Sequence, residues 1–306
     1  MKPRTVAGEL NNSMEVSLGM KRSSVRFLLT RVFLASLCFF LASSAWGQAL
    51  STLEPEKEKE LLTREQKMLL YNVGGLAVVA AYGLWKWDYG ANSFEFVDEG
   101  WFGKNTENGG ADKLGHFWSS YALSHLNAYI YRQWGYTDRE ANLYGVLTNL
   151  GFQTFMEIAD GFSPSQKFCY QDMAMNVLGA GVAYVWGNYP SLARKVDFRI
   201  EYKPYFDSRD TEFSTKYDRQ TFLVAVKADG FDFIKNPYLQ YLEFHLGYNA
   251  SGFKDYEPGG PDDRKRTILV GLGFNVNKLV QKIWDTRVFD YIQIPYTSIN
   301  LEFDLH

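Results

Sequence analysis

The sequence predicts an α+β protein: an apolar helical bundle of about four helices, followed by an antiparallel β-meander forming a curved sheet or partial barrel. Three observations carry that expectation. Between 69 and 187, apolar stretches of helical length are separated by Gly-, Asn- and Pro-containing breaks. After Val196 the hydrophobic period shortens to two. The later segments are joined by turn signals such as Asn236-Pro237 and Pro258-Gly259-Gly260-Pro261, rather than by crossover helices.

The elements follow in chain order. Residues 1–47 read as an address. Lys21, Arg22, Arg26 and Arg31 form a basic region, an apolar run follows from Val32 to Ala42, and Ala45 and Gly47 suit a cleavage site before Gln48. The first 19 residues fit no part of this pattern, so Met20 is a candidate true start. Cys38 follows Leu37, a poor lipobox residue. Residues 48–67 are rich in Glu and Lys and read as a charged tether that turns helical after Pro55.

The helical part is expected over 68–195. The uncharged run from Leu69 to Trp85 suits either a short membrane span or a buried bundle helix. A Gly-, Asn- and aromatic-rich loop covers 86–110. Helices are expected over 112–134, 138–158 and 170–187, the second with Thr137 and Glu140 as a capping box. Gly161 reads as the residue that ends that helix. The β region is expected over 196–306, with strands at 196–206, 219–228, 238–250, 266–277 and 296–305 and a possible sixth at 92–97. Strands of this length resemble those of membrane barrels, but they are fewer than the roughly eight of a closed single-chain barrel.

Composition bounds the function classes. The chain has 306 residues, 46% of them hydrophobic and 17% aromatic, which excludes a disordered protein. Its net charge of −3 lacks the footprint of a nucleic-acid binder. Removal of 1–47 takes away six basic and two acidic residues, leaving 26 and 33, a charge of about −7. Cys169 is then the one remaining cysteine, and it reads as a small buried residue. Aromatics concentrate at segment ends and in the 85–102 loop, as in proteins resting at a membrane interface.

Three polar clusters interrupt the apolar helices. Asp112 and His116 are four apart at one helix start, with Lys113 between them. Glu157 and Asp160 are three apart at a helix end, before Ser163. Asp172 and Asn176 are four apart on the next helix. Carboxylates buried together must bind a cation, share protons or stay wet. Each acid near a helix start can also serve as an ordinary first-turn carboxylate. His125 lies nine residues past His116 and faces the other way. His245 has no partner by spacing. Gly161-Phe162-Ser163-Pro164-Ser165 misses the GxSxG elbow, and no HExxH, CxxC, GxxxxGK[ST] or GxGxxG occurs.

The strings WFGKN (101–105), GGADKLGHF (109–117), EIADGFSPS (157–165) and YQDMAMNVLGAG (170–181) together resemble the YfiM-type family of uncharacterised predicted periplasmic proteins. More distantly, their order is similar to VanZ-like membrane proteins. Those usually carry Glu-x-x-Gln where this chain has Glu157-Ile158-Ala159-Asp160. The resemblance covers about 100–190 and implies a location and site positions, without an activity.

Two functions follow as expectations. In one, an exported cell-envelope protein on the periplasmic side has a structural or binding role, with membrane lipid or another envelope component as partner and no nucleic acid. Lys113, Ser163 and Asn176 would then belong to a binding network. In the other, a membrane-surface hydrolase or transferase acts on a lipid or carrier headgroup. His116 would be its general acid/base with Asp112 orienting it, and Glu157 and Asp160 would be catalytic. Asp172, Glu157 and Asp160 would hold a divalent cation, for which oxygen donors with one imidazole suit Mg²⁺, Mn²⁺ or Ca²⁺.

Overall fold

The structure, a computed structural model, describes residues 61–203, 217–253 and 262–305. It is α+β, with four long helices and a six-stranded mixed sheet. The expected signal peptide, most of the tether and the 258–261 turn lie outside the described residues.

Helix α1 (Arg64–Lys86) starts at a capping box in which Thr63 and Gln66 satisfy each other's backbone N–H groups. By length and composition it is long and apolar enough to cross a membrane. It is no buried core helix: Gly83 is its one buried residue, and Leu69, Val73, Val78 and Leu84 are exposed. Tyr71 and Asn72 tie it to the bundle, through Tyr71 Oη donating to Asn127 Oδ1 (2.7 Å) and Asn72 Nδ2 donating to Tyr131 Oη (3.0 Å).

Helices α2 (Ala111–Gln133), α3 (Asp138–Asp160) and α4 (Tyr170–Asn188) form the core of the bundle. The Thr137–Glu140 capping box opens α3, as the spacing predicts. The helices approach closely at two glycines. A Cβ on Gly145 would meet the Ala128 N and Ser124 O atoms of α2, and one on Gly179 would sit 2.1 Å from the Phe117 carbonyl oxygen. Gly161 ends α3, as expected, and does so in right-handed geometry with φ at −55°, so a left-handed turn is not what calls for glycine. Space explains it instead: a side chain there would collide with the Phe94 ring.

The bundle buries many polar residues beside small and aromatic ones and exposes large aliphatic ones. Ser120, Ser124, Asn127, Asn149, Gln153 and Asn176 are buried, whereas Leu123, Leu126, Leu147, Phe155, Val177 and Leu178 are exposed. That is the reverse of a helix bundle bathed in water.

Two short strands, β1 (Phe96–Val97) and β2 (Phe168–Cys169), pair in parallel as a sheet of their own. Residues 92–97 therefore do not add a sixth strand to the main sheet, because β2 captures them. After the one-turn helix α5 (Pro190–Ala193), the main sheet is built from β3 (Val196–Tyr202), β4 (Gln220–Lys227), β5 (Leu242–Ser251), β6 (Lys265–Phe274), β7 (Ile292–Gln293) and β8 (Ser298–Leu305). Its order is β7-β3-β4-β5-β6-β8. The antiparallel meander holds from β3 to β8, with one correction: β7 lies parallel to β3, pairing Ile292 with Ile200. Residues 276–280 leave the expected fourth strand as a short helix, α6 (Val276–Val280), which Asn275 caps.

Only four residues separate β7 from β8, so one short segment links the two edge strands and curls the sheet into a partial barrel. Across its concave face Arg199 of β3 reaches over β4 to Glu243 of β5 with two hydrogen bonds of 2.8 Å. Arg199 also bonds Asp197 and Gln293, and Lys227 Nζ bonds Asp197 at 2.7 Å. The convex face is apolar. At β3 and β4 it packs on α2, where Ile200 and Phe222 meet Leu114 and Trp118, and Phe198 meets Phe117 and Tyr121.

Candidate functional site

The three polar clusters of the sequence meet at one end of the bundle, where α2 begins, α3 ends and α4 begins. The turn from α3 to α4 brings β2 beside β1, and that pairing lays Asp98 and Glu99 over the helix ends. Gln171 Nε2 donates to Asp98 Oδ1 and fixes this loop.

Lys113 is the hub. Its side chain is 1% exposed, and Nζ lies 2.5 Å from Glu99 Oε2, 2.8 Å from Asp112 Oδ2 and 2.8 Å from Asp172 Oδ1. The contact with Asp172 is an ion pair rather than an aligned hydrogen bond. Cys169 Sγ stands 3.5 Å from the same ammonium. Burial works against the charge on Lys113, but Asp112 and Asp172 more than offset it and raise its pKa. Burial likewise opposes ionisation of Asp112, yet Lys113 holds that carboxyl below the usual range. Burial pushes Glu99 up to about 7 despite its bond to Lys113.

His116 stands one turn further along α2 and is 18% exposed at the side chain. Its Nδ1 is 3.3 Å from Asn176 Oδ1 and 3.5 Å from Glu157 Oε1, and its Nε2 is 3.8 Å from Asp172 Oδ2. Asn176 Oδ1 also accepts from Ser120 Oγ at 3.0 Å. An oxygen that accepts from the serine faces Nδ1 as an acceptor again, which favours the proton on Nδ1 and leaves Nε2 open. Asp112, expected to orient His116, is paired with Lys113 instead; Asn176 and Glu157 flank the ring nitrogen.

Glu157 is 2% exposed, and its Oε1 receives no hydrogen bond. Burial first, then the neighbouring Asp172 and Asp160, push its pKa up to about 9. Asp160 accepts a hydrogen bond from Tyr89 Oη at 2.7 Å, and burial lifts it to about 7. Ser163 belongs to the turn below the cluster. Its hydroxyl donates to the Trp87 carbonyl at 2.6 Å and accepts from the Ser165 and Gln166 N–H groups.

Two sets of ligand atoms lie within 4.8 Å of one another: His116, Glu157 and Asp172, and Glu99, Cys169 and Asp172. Four carboxylates, those of Glu99, Asp112, Glu157 and Asp172, thus face one ammonium and one imidazole. Such a set can bind a cation or hold protons, and an imidazole with an open Nε2 can exchange a proton with a bound molecule.

The sequence reading placed His116, Glu157, Asp172, Asn176, Asp112 and Lys113 together, and the structure does so too. It missed Glu99 and Tyr89, which lie in a loop without periodicity, and the neighbourhood of Cys169. The nearest hint was the WFGKN string two residues past Glu99. His125 lies away from the cluster, against the Tyr121 and Tyr291 rings. His245 does have a partner: Glu243, two residues back on the same strand face, is 3.1 Å from its Nε2.

No curated protein and no solved structure matches this chain. Apart from Tyr89, the residues that build the cluster nevertheless fall within one recognisable stretch: from 98 to 188 the chain is similar to the family described as predicted periplasmic lipoprotein (DUF2279).

Proposed function

We propose that this is a membrane-seated protein on the periplasmic side of the cell envelope, and that its buried acidic cluster holds a divalent cation. The observation that carries the cation is the convergence of His116, Glu157 and Asp172 within 4.8 Å around a Glu157 oxygen that no donor satisfies. A buried carboxylate oxygen without a donor is costly, and a cation among two carboxylates and an imidazole relieves it. Two oxygen donors and one nitrogen suit Mg²⁺, Mn²⁺ or Ca²⁺ better than a structural zinc. The membrane seat rests on the inverted bundle, on the apolar length of α1 and on the periplasmic description of the similar family.

A second reading, hydrolysis or group transfer on a lipid or carrier headgroup, is favoured by His116. It is the partly exposed member of the triad, and Asn176 turns its Nε2 free to take a proton from an attacking water.

Manganese binding to the purified protein, followed by electron paramagnetic resonance, tests the main proposal. Wild type should retain Mn²⁺. Glu157→Gln and Asp172→Asn should each weaken binding by more than the roughly 10–100-fold that outer-shell partners are worth. Wild-type protein that takes up no Mn²⁺ at millimolar concentration would overturn it.

A further inference from the structure

The barrel carries an unclaimed surface. Its convex face is covered by α2 at β3, β4 and the end of β5, where Tyr248 and Ala250 pack, but is bare over the start of β5 and across β6 and β8. Phe244, Leu246, Leu272, Ile299, Leu301 and Phe303 all lie on that face, and between 45% and 85% of each is exposed. The same strands turn Glu243 and His245 inward, where they are 1% and 0% exposed. A sheet in water hides its apolar face and shows its polar one; this sheet does the opposite. Strands β5 and β6 have ten residues each, within the roughly 9–11 that cross a bilayer as tilted barrel strands.

The ends of the bare wall differ from its middle. Leu242 pairs with Phe274 and Leu272 with Ile299, so the start of β5, the end of β6 and the start of β8 share one rim. Tyr238 (83% exposed), Trp284 (44%) and Tyr296 (89%) stand in the connections at that rim. The Lys278 and Lys282 ammonium groups lie 5.6 and 5.1 Å from the centre of the Tyr241 ring there. Aromatic rings joined by lysines at the end of an apolar band are the chemistry of a headgroup layer.

We propose that the wall formed by β5, β6 and β8 lies against lipid hydrocarbon, with the Tyr238–Trp284–Tyr296 rim at headgroup level. A protein partner would explain the bare apolar face. It would not account for the polar interior, the strand length and the aromatic rim together. The inference rests on the membrane-seated reading above and extends it from the helical half to the strand half. Its function is anchorage, with phospholipid acyl chains as the ligand.

The test needs no variant. The full chain is reconstituted into vesicles of phosphatidylethanolamine and phosphatidylglycerol that contain a phospholipid with a diazirine at its acyl-chain end. After illumination, labelled residues are mapped by mass spectrometry. Label is expected at Phe244, Leu246, Leu272 and Leu301 and is expected to be lost at Glu243 and His245. Label on the outer residues of α1 and α3 with none on the wall would overturn the lipid-facing barrel while leaving the membrane seat in place. Absence of label from the whole protein would overturn both. Wall residues that become labelled only on dilution of the protein would assign the surface to a second copy and overturn the proposal.

Discussion

His125 shows how one side chain sets a pH response. It is packed between the Tyr121 and Tyr291 rings, at centroid distances of 4.9 and 5.7 Å, and its Nε2 has no hydrogen-bond partner. Burial, helped by Arg132 and Arg287, lowers its pKa from 6.5 to about 4. The unfolded chain therefore takes up a proton below pH 6.5 that the folded protein refuses. The stability tied to His125 is whole above pH 6.5 and is lost as pH falls toward 4, by up to about 3 kcal/mol. His125→Phe keeps an aromatic ring in the same packing and removes the titration. Thermal unfolding at pH 7 and pH 5 should show a smaller acid loss in His125→Phe than in wild type. Equal losses would mean that His125 does not carry this sensitivity.

The glycines of α4 separate two physical effects within one helix. Gly179 faces the Phe117 carbonyl oxygen, which a Cβ would meet at 2.1 Å, whereas Gly181 has nothing within 4 Å. Gly179→Ala should force α2 and α4 apart and cost about 1–3 kcal/mol. Gly181→Ala should stabilise by up to about 1 kcal/mol, because alanine restricts the unfolded chain and favours the helix. Chemical denaturation of the two variants should therefore move in opposite directions. Elements of this kind were legible in the sequence where a local rule set them. The Thr137–Glu140 box and the alternation in β5 both announce themselves within a few residues. The i, i+4 spacings of Asp112 with His116 and of Asp172 with Asn176 also placed those residues in the first turns of their helices. What depends on distant partners was not legible. The capture of Phe96 by Phe168, the approach of Glu99 to Lys113 and the parallel seat of β7 beside β3 all join segments whose own sequences carry no mark of each other.

Viewed whole, the described molecule buries charged groups in both halves. In the barrel, Arg199 is 1% exposed at the side chain and neutralises Glu243 and Asp197. Removal of Arg199 should leave Glu243 with only His245 and Asp197 with only Lys227 beside it, so Arg199→Met is expected to cost about 3 kcal/mol. The double variant Arg199→Met, Glu243→Met should recover most of that loss, since a buried pair replaced by apolar side chains of similar volume is often neutral. Urea unfolding of the single and double variants reads the difference. A double variant as unstable as the single one would show that the network is needed for more than charge balance. The polar cores also bear on the proposals for cation binding and lipid contact: a chain that spends its polar residues inward leaves its outer surface to apolar ones.

The four-residue link between β7 and β8 has a consequence for the order of folding. Because Ile200 must find Ile292, and Gly273 must find Ser298, the sheet cannot complete its partial barrel until the chain beyond residue 290 has been synthesised. Pairings this far apart in sequence carry a large loop-closure cost and form slowly. A chain halted before residue 292 would present β3 and β6 as two open edges, each a template for strand addition by a neighbour. The same short segment thus covers β3 and β6 and leaves the two-residue β7 and the strand β8 at the edges.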